Sequence, residues 1–169
     1  MFKDAIGREW QLATCQLDFN QPNRFELSYV NEQGEKEQPV VIHRAIMGSF
    51  ERFIGVMIEH FAGAFPLRLA PTQIMFVPVA EKFTEYCYDL KVQCAQQGLR
   101  AKVDASDDSF SKKIRNAEMD KIPYIAIIGE EEVKAQTVSI RIYKTKEQAT
   151  MSADEFITAR VKEYQERGL

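Results

Sequence analysis

Residues 123–128, PYIAII, form a near-continuous apolar run that closes on Gly129, and this stretch limits the folds open to the chain more than any other. Apolar runs without alternation suit strands buried on both faces, which occur where a parallel sheet carries helices on each side. Neighbouring segments agree. Residues 73–77 (QIMFV) read as a second buried strand, and residues 82–97 carry Phe83, Tyr86, Cys87, Leu90 and Cys94 at helical spacing before Gly98 ends the stripe. Residues 99–103 are a third strand, and a shorter helix capped by Ser109 or Asp108 runs to Ala117. Residues 135–143 read as a strand, and Ser152 with Glu155 three residues on forms a capping box for a last helix ending near Glu166. The order strand, helix, strand, helix, strand, strand, helix predicts a mixed sheet with helices packed on it, an α/β domain.

Before the hinge-like segment 66–71, where Pro66 and Pro71 bracket LRLA, the pattern changes to α+β. In residues 10–19 (WQLATCQLDF), apolar Leu12, Cys15, Leu17 and Phe19 interleave with Gln11, Thr14, Gln16 and Asp18, the mark of a strand with one polar face. Pro22 breaks it, residues 24–30 read as a short strand or extended arm, and the polar NEQGEKEQ of residues 31–38 is a loop. Residues 39–42 return as a strand that delivers His43. Two antiparallel neighbours set Gln11, Thr14 and Gln16 beside His43, because alternate residues share a face. Residues 43–63 then place Phe50, Phe53, Ile54, Met57, Ile58 and Phe61 on one stripe of a helix that starts at Gly48-Ser49 and stops at Gly63. Arg52 lies within one turn of Ser49, where unsatisfied backbone N–H groups favour an anion such as phosphate. The domain boundaries predicted are therefore 1–70 and 71–169.

Composition narrows the partners. At 169 residues with 45% hydrophobic and 28% charged residues, the chain reads as globular. It carries neither a bilayer-spanning apolar run nor a secretory h-region at its start, so the cytoplasm is the expected compartment. Cys15, Cys87 and Cys94 fit neither a disulfide framework nor a CxxC metal site and are expected to be reduced and mostly buried. A net charge of −3 gives no global sign of nucleic-acid binding. In residues 138–146, however, Arg141, Lys144 and Lys146 stand without an acid among them.

Longer strings add a resemblance. HRAIMGSFERFIG, followed closely by FAGAFPLRLAPTQ, resembles motif 3 of the class II aminoacyl-tRNA synthetases, in detail that of the threonyl-tRNA synthetase family. Upstream, GREWQLATCQLDFNQPNRFELSYV resembles the strand and turn before motif 3. Downstream, GLRAKVDASDDSFSKKIRNAEMDKIPYIAIIGEEEV resembles that family's anticodon-binding domain. The likeness covers nearly the whole chain in the same order. It implies part of a class II antiparallel sheet with the motif 3 helix, followed by a mixed-sheet anticodon-binding domain.

The resemblance also implies roles. In this family ATP, with Mg2+, and threonine give a threonyl-adenylate, and the threonyl group then passes to tRNA-Thr. Arg52 matches the motif 3 arginine that meets the phosphate and is the candidate catalytic residue. Gln11, Thr14 and Ser49 match positions lining ATP, and Gln16 and Ala45 match positions near threonine. His43 matches one protein ligand of an active-site Zn2+, whose other two ligands, a cysteine and a histidine, have no counterparts in this sequence. Asp107, Glu132 and Arg141 match anticodon-reading positions, with Asp107 standing where relatives can carry asparagine. Motifs 1 and 2 are absent, so a C-terminal piece of a larger, homodimeric synthetase is expected. The alternative is a free-standing, non-catalytic RNA-binding or regulatory relative.

Overall fold

The computed structural model describes residues 2–4 and 6–166; residues 1, 5 and 167–169, at or near the outer ends of the two domains predicted, lie outside it. It divides into two units, residues 1–60 and 61–169. The first is built from β1 (Phe2–Lys3), β2 (Glu9–Trp10), β3 (Thr14–Asp18), α1 (Asn20–Arg24), β4 (Tyr29–Val30), β5 (Lys36–Glu37), β6 (Val41–Ala45) and α2 (Phe50–Phe61). Its centre is the antiparallel pair of β3 and β6, in which Gln16 stands opposite His43 and Thr14 opposite Ala45. Those four side chains share one face, as the period of two requires. Leu17 and Ile42, opposite each other on the reverse face, are both 61% exposed.

Two local devices differ from the sequence reading. Where Pro22 was expected only to break the strand, residues 20–24 form a turn of helix with Pro22 buried inside it. Asp18 starts that turn, its Oδ1 accepting from the backbone N–H groups of Asn20 (2.9 Å) and Gln21 (3.0 Å). The expected loop over 31–38 is a hairpin, in which Asn31 Oδ1 accepts from the N–H groups of Gln33 and Glu35 and β4 pairs with β5. In α2, the Ser49 hydroxyl accepts from the Arg52 N–H at 3.3 Å. Gly48 before it has φ +67, and a Cβ there would lie 3.2 Å from the Leu12 carbonyl oxygen, so glycine is required twice over. The stripe read from sequence is covered on one flank. Val56 is buried and Phe53 and Met57 are half-buried, whereas Phe50, Ile54 and Ile58 remain exposed.

The second unit contains β7 (Ile74–Pro78), a 3-10 turn (Glu81–Phe83), α3 (Thr84–Gln96), β8 (Ala101–Val103), α4 (Phe110–Met119), β9 (Tyr124–Ile128), α5 (Glu130–Ala135), β10 (Thr137–Ile142), β11 (Gln148–Ser152) and α6 (Ala153–Gln165). The sheet order is β11-β10-β9-β7-β8, with β7 parallel to β8 and β9 and with β10 antiparallel to both its neighbours. The mixed α/β sheet predicted is thus present, with β9 at its centre and nearly all of its residues buried. One face, with Ile74, Phe76, Ala126 and Val138, packs against Cys87, Leu90 and Cys94 of α3 and Phe156 of α6. The other, with Val77 and Ile125, packs against Ile114 and Ala117 of α4.

The segment 66–71 belongs to this second core. Leu67 and Ala70 are buried, and the fully buried Gln73 donates to the Leu67 carbonyl (2.8 Å) while its Oε1 accepts from Arg100 N–H (2.7 Å). Ser152 caps α6 as expected, accepting from Glu155 N–H at 3.2 Å. Neither Ser109 nor Asp108 caps α4 through its side chain, because Asp108 is taken by Lys112 Nζ at 2.7 Å. Cys87 and Cys94 are buried, and burial pushes both thiols up to about 12. Cys15, by contrast, is exposed on β3. Within this unit, α5 and β11 lie outside the sequence reading.

Candidate functional site

In the first unit the register of β3 and β6 gathers Thr14, Gln16, His43 and Ala45 on one face; of the residues the sequence set beside His43, Thr14 and Gln16 lie there and Gln11 lies outside the paired strand. Asp18 joins them. Its Oδ2 lies 2.8 Å from His43 Nε2, and its Oδ1 already holds the start of α1. Hydrogen bonds from Gln21 N–H and then from His43 hold the Asp18 carboxyl below the usual carboxylate range. Gln16, Asp18, Phe19, Asn20 and His43 line a hollow of about 680 Å³ beside this pair. Gln11 precedes the strand and stands apart from that hollow; its backbone carbonyl instead accepts from Arg52 Nη1 at 3.4 Å.

Arg52 is positioned from three sides. Ser49 fixes the first turn of its helix, Gln11 takes its guanidinium, and that guanidinium lies 5.4 Å from the centre of the Trp10 ring. Arg8 sits 5.5 Å from the same ring. The indole is itself anchored, since Trp10 Nε1 donates to Asp4 Oδ2 at 2.9 Å and Arg8 Nε donates to the same oxygen at 2.6 Å. Burial alone would raise the Asp4 carboxyl, but the bonds from Trp10 and Arg8 outweigh it and bring it down to about 2. Asp4 is therefore a charged post under a platform that carries Arg52. A planar guanidinium lies flat on an indole in a way that an ammonium does not.

For a metal, the polar face of β3 and β6 supplies one imidazole, His43. Among the described residues no group of three or more His, Cys, Asp and Glu side chains is arranged to hold an ion. His43 fits a single ligand's place: Asp18 occupies Nε2 and leaves Nδ1 for a metal, the carboxylate–histidine arrangement common behind ligating imidazoles.

In the second unit Asp107 and Glu132 follow the carboxyl ends of the parallel strands β8 and β9, whereas Arg141 lies on β10 opposite Ile125, toward the amino end of β9. Asp107 is exposed in the loop after β8, a strand three spacings, or about 14 Å, from β10. Glu132 and Arg141 are brought closer. Glu132, in the first turn of α5, takes Gly129 N–H on Oε2 (2.9 Å) and the Ser139 hydroxyl on Oε1 (2.7 Å). Burial would raise its carboxyl, but the bonds from Ser139 and Gly129 prevail and lower it. Ser139 also meets Thr150 across the β10–β11 pair at 3.0 Å. Arg141, two residues along the same face of β10, is held by Glu118 of α4, with Nη2 at 2.9 Å from Oε1. Sequence reasoning missed Ser139, Thr150 and Glu118. The two-residue period of β10 links Ser139 to Arg141, whereas the α4 contact has no local signal.

Comparison with known proteins agrees with this division. The family model of the tRNA synthetase class II core domain (G, H, P, S and T) matches residues 1–61, and that of the anticodon binding domain matches residues 73–163. Threonine–tRNA ligase of Sulfurovum sp. (strain NBC37-1) is 49% identical over 163 residues, 96% of this chain and 27% of that protein. A threonine–tRNA ligase of Thermus thermophilus is 48% identical over 167 residues, 99% of this chain and 25% of that protein. The chain thus spans about a quarter of the length of these curated relatives. The crystal structure of the RNA binding domain of threonyl-tRNA synthetase from Cryptosporidium parvum Iowa II superposes with a TM-score of 0.82 at 35% identity, over 94% of this chain and 40% of that one. Prolyl-tRNA synthetase from Cryptosporidium parvum, at 23% identity and a TM-score of 0.68, shares the fold. With an anticodon binding domain behind the end of a class II core, in the order and at the identity found in the threonine enzymes, the chain belongs to the threonyl-tRNA synthetase family of class II aminoacyl-tRNA synthetases.

Proposed function

We propose that the protein acts in the ligation of threonine to tRNA-Thr, its second unit reading the anticodon and its first supplying motif 3 to the nucleotide site. The reaction joins the threonine carboxylate to the α-phosphorus of ATP with loss of pyrophosphate. A tRNA 3′-terminal ribose hydroxyl then attacks the adenylate carbonyl and AMP leaves. Both steps depend on charge and position rather than on a covalent side-chain intermediate. Arg52, held on Trp10 and by the Gln11 carbonyl, is assigned to the phosphates of ATP bound with Mg2+. Gln11, Thr14 and Ser49 line the nucleotide, and Gln16 and Ala45 flank threonine on the polar face of β3 and β6. His43 is assigned as one of three protein ligands to Zn2+, the others lying outside this sequence. A zinc held there would supply a Lewis-acidic position for the amino group and hydroxyl of threonine, which valine could not satisfy.

Asp107, Glu132 and Arg141 are assigned to the anticodon, whose unstacked bases are read on their edges. The observation that carries this reading is the anticodon binding domain over residues 73–163, with Glu132 and Arg141 fixed on one face of β10 and its flank. Glu132 acts with both carboxylate oxygens already engaged, so remaining lone pairs or an exchange with Ser139 must serve a base. The test is binding of the chain to a tRNA-Thr anticodon stem-loop in a salt titration. Arg141→Ala should weaken binding about tenfold, the loss expected for one base-reading guanidinium. Equal affinity for an unrelated stem-loop, untouched by Arg141→Ala, would refute the assignment.

A further inference from the structure

We propose that Glu118 is a specificity-determining positioning residue: it holds the Arg141 guanidinium in one orientation and cancels charge that would otherwise attract RNA of any sequence. This rests on the anticodon reading of Arg141.

Three observations converge. Arg141 Nη2 lies 2.9 Å from Glu118 Oε1, and Lys146 Nζ lies 3.8 Å from the same oxygen. One carboxylate on α4 therefore faces two cations from the basic end of the β10–β11 hairpin. The side chains are only 32% and 28% exposed for Arg141 and Glu118, so the pair is less screened than an ordinary surface bridge. Arg141 Nε is buried and has no hydrogen-bond acceptor among the described residues. With that donor orphaned, the ion pair to Glu118 is what draws the Nη2 end of the guanidinium toward α4 and biases its orientation.

Lys146 differs. Its side chain is 54% exposed, lies 4.1 Å from the Tyr143 ring and is more distant from Glu118. The strand segment that looks purely basic in sequence is in space a triad of two cations and one anion. Removing the anion frees positive charge, which strengthens contacts with any phosphate backbone but adds no base information. Removing the acceptor lets the guanidinium sample other rotamers, which lowers discrimination between bases. Loss of stability alone would weaken all RNA binding together and leave the ratio between sequences unchanged.

The experiment measures the affinity of the full chain for a tRNA-Thr anticodon stem-loop and for the same hairpin with one anticodon base changed, for wild type, Glu118→Ala, Glu118→Gln, Arg141→Ala and the double alanine variant. Glu118→Ala is expected to lower the matched-to-mismatched ratio about fivefold, with binding of the mismatched hairpin unchanged or tighter and its salt dependence steeper. Glu118→Gln, which keeps an acceptor oxygen without charge, should restore most of the ratio while retaining the tighter mismatched binding. In the Arg141→Ala background, Glu118→Ala should leave the ratio where it is. A ratio unchanged by Glu118→Ala, or lowered equally with and without Arg141, overturns the proposal. If Arg141→Ala alone leaves the ratio intact, the anticodon reading of Arg141 fails first and the role of Glu118 falls with it. Far-ultraviolet circular dichroism and melting of each variant separate these results from unfolding.

Discussion

Replacing Glu132 by alanine is expected to destabilise the second unit before any RNA is added. Its carboxylate accepts from Gly129 N–H at 2.9 Å and from the Ser139 hydroxyl at 2.7 Å, so it joins the end of β9 to β10 across α5. Hydrogen bonds to a charged acceptor contribute about 1.5–3 kcal/mol each. Because one half-buried group makes both, the lower end applies and the loss is about 2–3 kcal/mol. For a unit of this size about 1 kcal/mol shifts Tm by roughly 4 °C, so melting of the second unit should fall by about 8–12 °C. The pH dependence has a fixed sign. Glu132 is lowered in the folded state, so its contribution is full above the ordinary glutamate range and lost as pH falls through its depressed folded value. The gap between wild type and Glu132→Ala should therefore narrow from about pH 7 to about pH 3. Glu132→Gln, with one acceptor oxygen, should fall between them. Circular dichroism melts at both pH values decide it. An unchanged Tm near neutral pH, or a gap that widens in acid, would show that Glu132 is a solvated charge and that the bonds drawn for it do not form in solution.

Two further outcomes concern the first unit. In the full-length protein, Arg52→Lys is expected to lower threonine-dependent ATP–pyrophosphate exchange by about a hundredfold, because an ammonium neither stacks on Trp10 nor keeps the bond to the Gln11 carbonyl while meeting a phosphate. Asp18→Asn should change the His43 ring: nitrogen-15 shifts should report Nε2–H as the neutral tautomer in wild type and a mixture of both tautomers in the variant. A wild-type ring already in mixed tautomers would remove Asp18 from the account.

The elements readable in the sequence are those whose burial is written as a period. β7 and β9 are apolar throughout, and α3 repeats Cys87, Leu90 and Cys94 on the face that reaches the sheet. α5 escaped because Glu130, Glu131 and Glu132 interrupt any apolar stripe; it is made by the Glu132 bond to Gly129 N–H and ends at Gln136 in the left-handed region, φ 53. β11 is an edge strand, with only Met151 of Gln148–Ser152 half-buried against the core. At the first site, alternation along β3 puts Asp18 on the face of Gln16, but the register that opposes Gln16 to His43 is set by pairing between distant segments. Glu118 lies 23 positions before Arg141 and reaches it only because α4 packs on the face of the sheet that Ile125 and Arg141 share.

Nitrogen-15 chemical-shift mapping of the chain during titration with a tRNA-Thr anticodon stem-loop tests the anticodon reading most directly. The expected perturbations fall on the loop around Asp107, on residues 129–132, and on Ser139, Arg141, Gln148 and Thr150, all at the carboxyl edge or on the α4 side of the sheet. Perturbations centred instead on the α3 and α6 side, or absent at saturating hairpin, would contradict it.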